Sequence, residues 1–129
     1  MGNFAITREI SGSVETAVEK VTEAIKSAGF GVLTRIDFDQ KIQEKLGEKI
    51  NRCVILGACN PKLALEAYRQ STDTALLIPC NIAVTEVQPG KVRIEAMRPT
   101  AMLKFLPAVK PDPAMDEAEK KLRTALSSL

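Results

Sequence analysis

Apolar and polar positions along the chain follow two alternating periods. In residues 4–10, Phe4, Ile6 and Ile10 stand inward against Thr7 and Glu9, the two-residue repeat of a strand, and Ser11-Gly12-Ser13 ends it. From Ser13, whose hydroxyl suits a helix N-cap, Val14, Ala17, Val18, Val21, Ile25 and Ala28 fall at helical spacing, and Gly29 suits the left-handed stop. Residues 30–37 return to an extended pattern, with Val32, Thr34 and Ile36 opposing Gly31, Leu33 and Arg35. Asp37-Phe38-Asp39-Gln40 offers a capping-box start to a short helix over 38–46, with Phe38, Ile42 and Leu46 on one face and Gly47 at its end.

Residues 53–58 are almost all apolar, as expected of a strand buried on both faces in the middle of a sheet. Asn60 is the N-cap and Pro61 the first residue of a helix over 61–70, which buries Leu63, Ala64, Ala67 and Tyr68 while Lys62, Glu66 and Arg69 face water. Residues 71–74 form the exit turn. A hairpin follows, with arms 75–87 and 91–97 joined by Gln88-Pro89-Gly90. A three-residue loop pairs Glu86 with Val92, Val84 with Ile94 and Ile82 with Ala96, setting Ile78, Cys80, Ile82 and Val84 on the core face. Pro79 cannot donate to a ladder, which predicts an edge strand or a bulge near Cys80.

Residues 98–110 read as an irregular, partly apolar connection that must pack on something. The last helix, over 113–127, has Asp112 as cap, Pro113 in its first turn and a stripe of Met115, Ala118, Leu122, Ala125, Leu126 and Leu129. Together these elements predict one α+β domain over residues 1–129: a two-layer, mainly antiparallel sheet with helices packed on it, in the order β-α-β-α-β-α-β-β-α.

Composition narrows the function more than the fold. A chain of 129 residues, 45% hydrophobic, can bury a core without metal or disulfide support. The formal charge of +2 is spread among interspersed acids and bases, and the few aromatics are scattered, so no nucleic-acid surface is expected. No apolar run approaches the roughly 20 residues of a membrane span, and the first residues lack the pattern of a signal peptide. Gly2 lacks the Ser or Thr at position six that myristoylation prefers, since Ile6 stands there. A cytoplasmic setting follows, with Cys53, Cys59 and Cys80 as reduced thiols.

Candidate chemistry concentrates in two Cys-Asn dipeptides. Cys59 stands between a strand end and a helix N-terminus, where the helix dipole favours thiolate, and Lys62 is the nearest cation in sequence. The alternatives are simple packing, ligand or anion binding, and thiol chemistry, the last without any histidine as base. Cys80 is expected to face the core, and a Cys59–Cys80 bridge or metal clamp stays open. Asn60 and Asn81 have plainer uses as a cap and as a turn or bulge residue. The pair Asp37 and Asp39 is expected to serve a helix start rather than acid–base catalysis. No zinc site is expected, since a closed one wants about four ligands and histidine is absent, and no residue is assigned as a metal ligand. No nucleotide-binding loop, GxSxG elbow or histidine triad is present, and no cofactor is implied.

The segments Leu56-Gly57-Ala58-Cys59-Asn60-Pro61-Lys62-Leu63-Ala64 and Leu76-Leu77-Ile78-Pro79-Cys80-Asn81-Ile82 resemble the bacterial and archaeal domain of unknown function 302 family. Ala28-Gly29-Phe30-Gly31-Val32, the helix start at Asp37 and the segment from Arg98-Pro99 to Leu103 extend the resemblance from about Ser13 onward. It implies a TATA-binding-protein-like layered α+β domain, a homodimer, and no established activity. Leu65 departs from the His or Tyr often found there. The expected function is a non-catalytic, dimeric small-ligand-binding or regulatory module, its site near Cys59, Asn60, Lys62, Cys80 and Asn81 and its ligand a small molecule or anion. Thiol-dependent redox or sulfur handling by Cys59 and Cys80, and a structural or protein-interaction role, are the alternatives.

Overall fold

Five strands, β1 (Ala5–Ser11), β2 (Gly31–Asp37), β3 (Cys53–Cys59), β4 (Cys80–Gln88) and β5 (Lys91–Met97), make one antiparallel sheet in the order β1-β5-β4-β3-β2. They come from a computed structural model that describes residues 3–129, so the reading of Gly2 lies outside the described residues. Helices α1 (Val14–Ala24), α2 (Phe38–Leu46), α3 (Pro61–Gln70), α4 (Pro99–Met102) and α5 (Pro113–Ser127) complete the fold. The chain between β1 and β2 must travel from one edge of the sheet to the other. Helix α1, continued by a 3-10 turn over Ile25–Ala28, makes that passage and packs with α5 on the sheet.

The core lies between this helical layer and the sheet. Val21 and Ile25 meet Val54 and Leu56 of β3, Ile82 and Val84 of β4, Val92 and Ile94 of β5, and Leu126 of α5, all essentially without solvent contact. Residues of β3, β4 and β5 two apart share this face, the consequence of strand pleating. A smaller cluster of Ala67, Leu106 and Val109, with Leu77 and Leu103 against it, lies beside α3. It holds down the segment 98–110, which is more ordered than its sequence suggests: α4 and a 3-10 turn over Leu103–Phe105.

Several expectations change. The strand predicted from residue 75 begins only at Cys80, and a 3-10 helix over Thr72–Leu77 replaces both the exit turn and the first part of that arm. Pro79 therefore precedes the ladder, which frees β4 to occupy the centre of the sheet instead of an edge. Strand β3 is next to the edge, not in the middle, and Cys53 and Ile55 are only half-buried on its uncovered face. The predicted hairpin pairs Glu86–Val92, Val84–Ile94 and Ile82–Ala96 are all formed. Gln88 also pairs with Lys91, so the extra residue is taken up by a bulge between Glu86 and Gln88 and the turn is shorter than predicted.

Strand β2 departs further. An irregularity between Val32 and Thr34 breaks the alternation, placing Arg35 opposite Leu56 and Asp37 opposite Val54. Ile36 is left exposed, and Leu33 is 60% exposed. Phe4 is outside the sheet and exposed rather than inward. Tyr68 is exposed too, while α2 buries none of Phe38, Ile42 and Leu46. The acids at the start of α2 serve another purpose than the predicted capping box. Asp37 makes no side-chain cap. It accepts from Arg35 at 3.0 Å and from Arg52 at 2.9 Å. Arg52 also donates to Asp39 at 2.8 Å and to Glu15 on α1, so one guanidinium ties α1, β2 and α2 to the entry of β3.

The network depresses its carboxyl groups. Arg52 and Arg35 lower Glu15, and Arg35 and Arg52 lower Asp37. Burial pushes Asp39 up, but the Cys53 N–H and Arg52 outweigh it and the net direction is down. A folded pKa below the unfolded one stabilises above the unfolded value, about 4 for these groups, and that contribution is lost as pH falls through the lower folded values. Arg52→Ala is expected to cost about 1–3 kcal/mol at pH 7, with Glu15 contributing least because more than half of it is in water. Urea unfolding at pH 7 and below pH 4 should show the wild type losing more stability on acidification than Arg52→Ala. Equal losses would show that Arg52 contributes nothing to the acid sensitivity.

Candidate functional site

Asn60 fixes the geometry where β3 gives way to α3. Its Oδ1 accepts from Leu63 N at 3.2 Å, the cap foreseen from the sequence, while its Nδ2 donates to Ala28 O at 3.4 Å. Gly29, at φ 83°, lies under this side chain; a Cβ there would stand 2.9 Å from Asn60 Nδ2. Asn60 thus joins the end of the α1 segment to the beginning of α3. Within β3 itself, Gly57 has no room for a side chain at all. An added Cβ would sit 2.1 Å from Thr34 Oγ1 and 2.5 Å from Pro79 Cγ, so Pro79 lies directly on β3.

Between these anchors is a partly open cavity of about 70 Å³. Phe30, Leu63 and Met115 belong to its inner wall, and Ala67, Leu77, Leu103 and Leu106 to its outer one. The lining contains no Asp, Glu, Lys or Arg. It does contain Cys59 and Cys80, which the ladder brings together by setting Ala58 opposite Cys80. Both thiols are free, so the bridge left open by the sequence is not formed. The Cys80 thiol donates to Met102 Sδ at 3.1 Å. Thr74 is 5% exposed, lines the same cavity, and its Oγ1 has no hydrogen-bond partner among the described residues.

Electrostatics run against an activated thiol. Burial raises the Cys59 pKa, the opposite direction to the thiolate stabilisation expected at a helix start. Burial, with a smaller contribution from Cys59, pushes Cys80 up to about 11. Of the other sequence candidates, Lys62 is exposed and borders a separate surface depression with Lys26, Asp112 and Glu117. Asn81 is exposed and does not line the cavity. The structure therefore brings together Cys59, Asn60 and Cys80, and leaves Lys62 and Asn81 outside.

Thr74, Met102 and Met115 were missed in the sequence, and only one signal bore on them. The apolar content of residues 98–110 implied that this segment covers something, without showing what. Below the cavity, Glu119 of α5 holds α4 in place: it accepts from Thr100 N at 3.0 Å, Thr100 Oγ1 at 2.6 Å and Arg98 Nε at 3.1 Å. Burial raises the Glu119 pKa, but the Thr100 side chain and backbone and Arg98 outweigh it, keeping the carboxylate ionised. Among the described residues, no three of His, Cys, Asp and Glu gather as a metal cluster.

Fold and cavity together define a single-sheet α+β domain with an apolar pocket where β3 ends and β4 begins. The chain belongs to the family described as Domain of unknown function DUF302, whose pattern matches residues 6–129. It is similar to an uncharacterized conserved protein DUF302 from Bacillus stearothermophilus, known from a crystal structure. The two are 27% identical, the match covers 98% of this chain and 95% of that chain, and the TM-score is 0.76. No curated protein matches the sequence. The resemblance carried by the two Cys-Asn motifs thus holds for family and fold.

Two outcomes follow from this geometry. At pH 8 a thiol with a pKa of about 11 is roughly one-thousandth ionised, so Cys80 should alkylate with iodoacetamide about a hundred times more slowly in the native chain than in urea, followed by peptide mass spectrometry. Equal rates would contradict its burial. Gly57→Ala should destabilise by about 1–3 kcal/mol or more, because Thr34 and Pro79 must move, and a lowered urea midpoint is the check.

Proposed function

We propose that the chain is a non-catalytic binding module that takes a small, mostly apolar molecule with one hydrogen-bonding atom into the cavity beside Cys59, Asn60 and Cys80. The unpartnered Thr74 hydroxyl carries this reading. A buried hydroxyl left without a partner costs about 1–3 kcal/mol, and one polar atom on a ligand would offset that cost. A cavity of about 70 Å³ has room for roughly five water-sized groups, enough for a small ring or branched chain. Apolar walls with one or two placed polar groups are the usual composition of such sites. Thiol-dependent chemistry is the less favoured reading, since burial disfavours the thiolate it requires.

A second copy of the chain is the partner proposed for the uncovered side of the molecule. Leu33, Ile36, Phe38, Leu46 and Ile50 are exposed on or beside the edge strand β2 and helix α2, and an edge strand leaves backbone groups free for pairing across a two-fold axis. A cytoplasmic setting accords with three unpaired cysteines. No helix among the described residues is long and apolar enough to cross a membrane.

Cyclopentanol and cyclopentane, a pair differing by one hydroxyl, test the pocket by NMR titration of methyl resonances. The alcohol should bind about five- to tenfold more tightly, and Thr74→Val should remove that preference. Ala67→Phe, which fills the cavity, should abolish both interactions. Unshifted Thr74, Leu77 and Leu103 methyls throughout the titration would overturn the reading. Sedimentation equilibrium tests the partner: a dimer for the wild type and a monomer for Ile36→Asp are expected, and a monomeric wild type at 100 μM, roughly the upper range for a weak specific dimer, would reject it.

A further inference from the structure

We propose that the sulfur-lined wall of this cavity binds a soft monovalent metal ion of the Cu(I) class, with Cys80 and Met102 as its first two ligands and Cys59 as the third. Two of the chain's three cysteines and two of its four methionines line this one cavity. They arrive from separate elements: Cys59 from the end of β3, Cys80 from the start of β4, Met102 from α4 and Met115 from α5. Packing of the main core therefore gathers the sulfurs, without any sequence spacing typical of a metal motif. Cys80 Sγ and Met102 Sδ are already in contact at 3.1 Å.

The donor set selects the ion. Thiolate and thioether sulfurs favour soft ions such as Cu(I), whereas zinc prefers a full set of thiolate, imidazole or carboxylate ligands and calcium or magnesium requires oxygen. The chain contains no histidine, and no carboxylate lines the cavity. Charge points the same way. A monovalent ion bound to one thiolate and otherwise to neutral sulfurs is neutral overall, which limits the cost of placing it in an apolar cavity without a counter-ion. With metal–sulfur bonds of about 2.3 Å at a trigonal angle, two ligand sulfurs stand about 4 Å apart. Cys80 and Met102 would thus part by roughly 1 Å, into the free volume beside them. Binding is an exchange without electron transfer: the Cys80 S–H bond breaks, a sulfur–Cu(I) bond forms and one proton leaves to solvent, while Cys59 approaches as the neutral thiol and the site stays uncharged.

This site does not use Thr74 and does not depend on an organic occupant, so it fails or stands separately from the preceding proposal. The test is anaerobic titration of the reduced full chain with Cu(I) in competition with bathocuproine disulfonate. One equivalent should transfer to the protein, with proton release, and X-ray absorption of the complex should show sulfur-only coordination. Met102→Leu keeps the apolar volume and removes the thioether; it should weaken Cu(I) at least tenfold. Thr74→Val, which removes the cyclopentanol preference, should leave Cu(I) affinity unchanged. Cys80→Ser should abolish tight binding, and Cys53→Ser, at the opposite end of β3, should leave it unchanged. Failure of the wild type to take Cu(I) from the chelator would overturn the site. So would nitrogen or oxygen in the coordination shell, or equal affinity in Met102→Leu.

Discussion

The ladder between β3 and β4 sets Ala58 opposite Cys80, and through that register it decides where every group around the cavity stands. A slip of one residue would turn either Val54 and Leu56 or Ile82 and Val84 away from the helical layer, so burial of these side chains holds the alignment. Gly57 adds a local constraint. Only a residue without a side chain lets Thr34 and Pro79 close over the strand, and Pro79 leads directly into Cys80. The two Cys-Asn dipeptides, far apart in sequence, are neighbours because of this pairing.

The dipeptides nevertheless have divided roles. Asn60 caps α3 and reaches back to Ala28, so its function is to join two helical segments. Asn81 points away from the cavity that Cys80 lines, as strand alternation requires of adjacent residues. The cysteines line one apolar cavity where burial raises both thiol pKa values, and both stay protonated. A motif that looks like reactive chemistry in the sequence is, in the fold, a pair of neutral sulfurs in an apolar wall.

Stability and site are also distributed unevenly. Helices α1 and α5 cover one face of the sheet, and Glu119 fastens α4 to that layer through Thr100 and Arg98. The opposite end of the molecule relies on Arg52 and its three carboxylates, because α2 contributes almost no buried apolar surface. Leu33, Ile36 and Leu46 are consequently left in water in the single chain.

The sequence by itself determined the α+β class, the strong helices α1, α3 and α5, the hairpin pairing and the cap at Asn60. These depend on local periodicity, on capping chemistry and on the two-residue repeat of a strand, all of which act between near neighbours in the chain. The tertiary structure alone decided that β4 is central, that β2 carries an irregularity exposing Ile36, and that Pro79 stands outside the ladder. It alone revealed Thr74, Met102 and Met115 around the two cysteines. Those outcomes come from long-range packing: which strand lies beside which, and which loop closes over the end of the sheet. No repeat within the sequence encodes either.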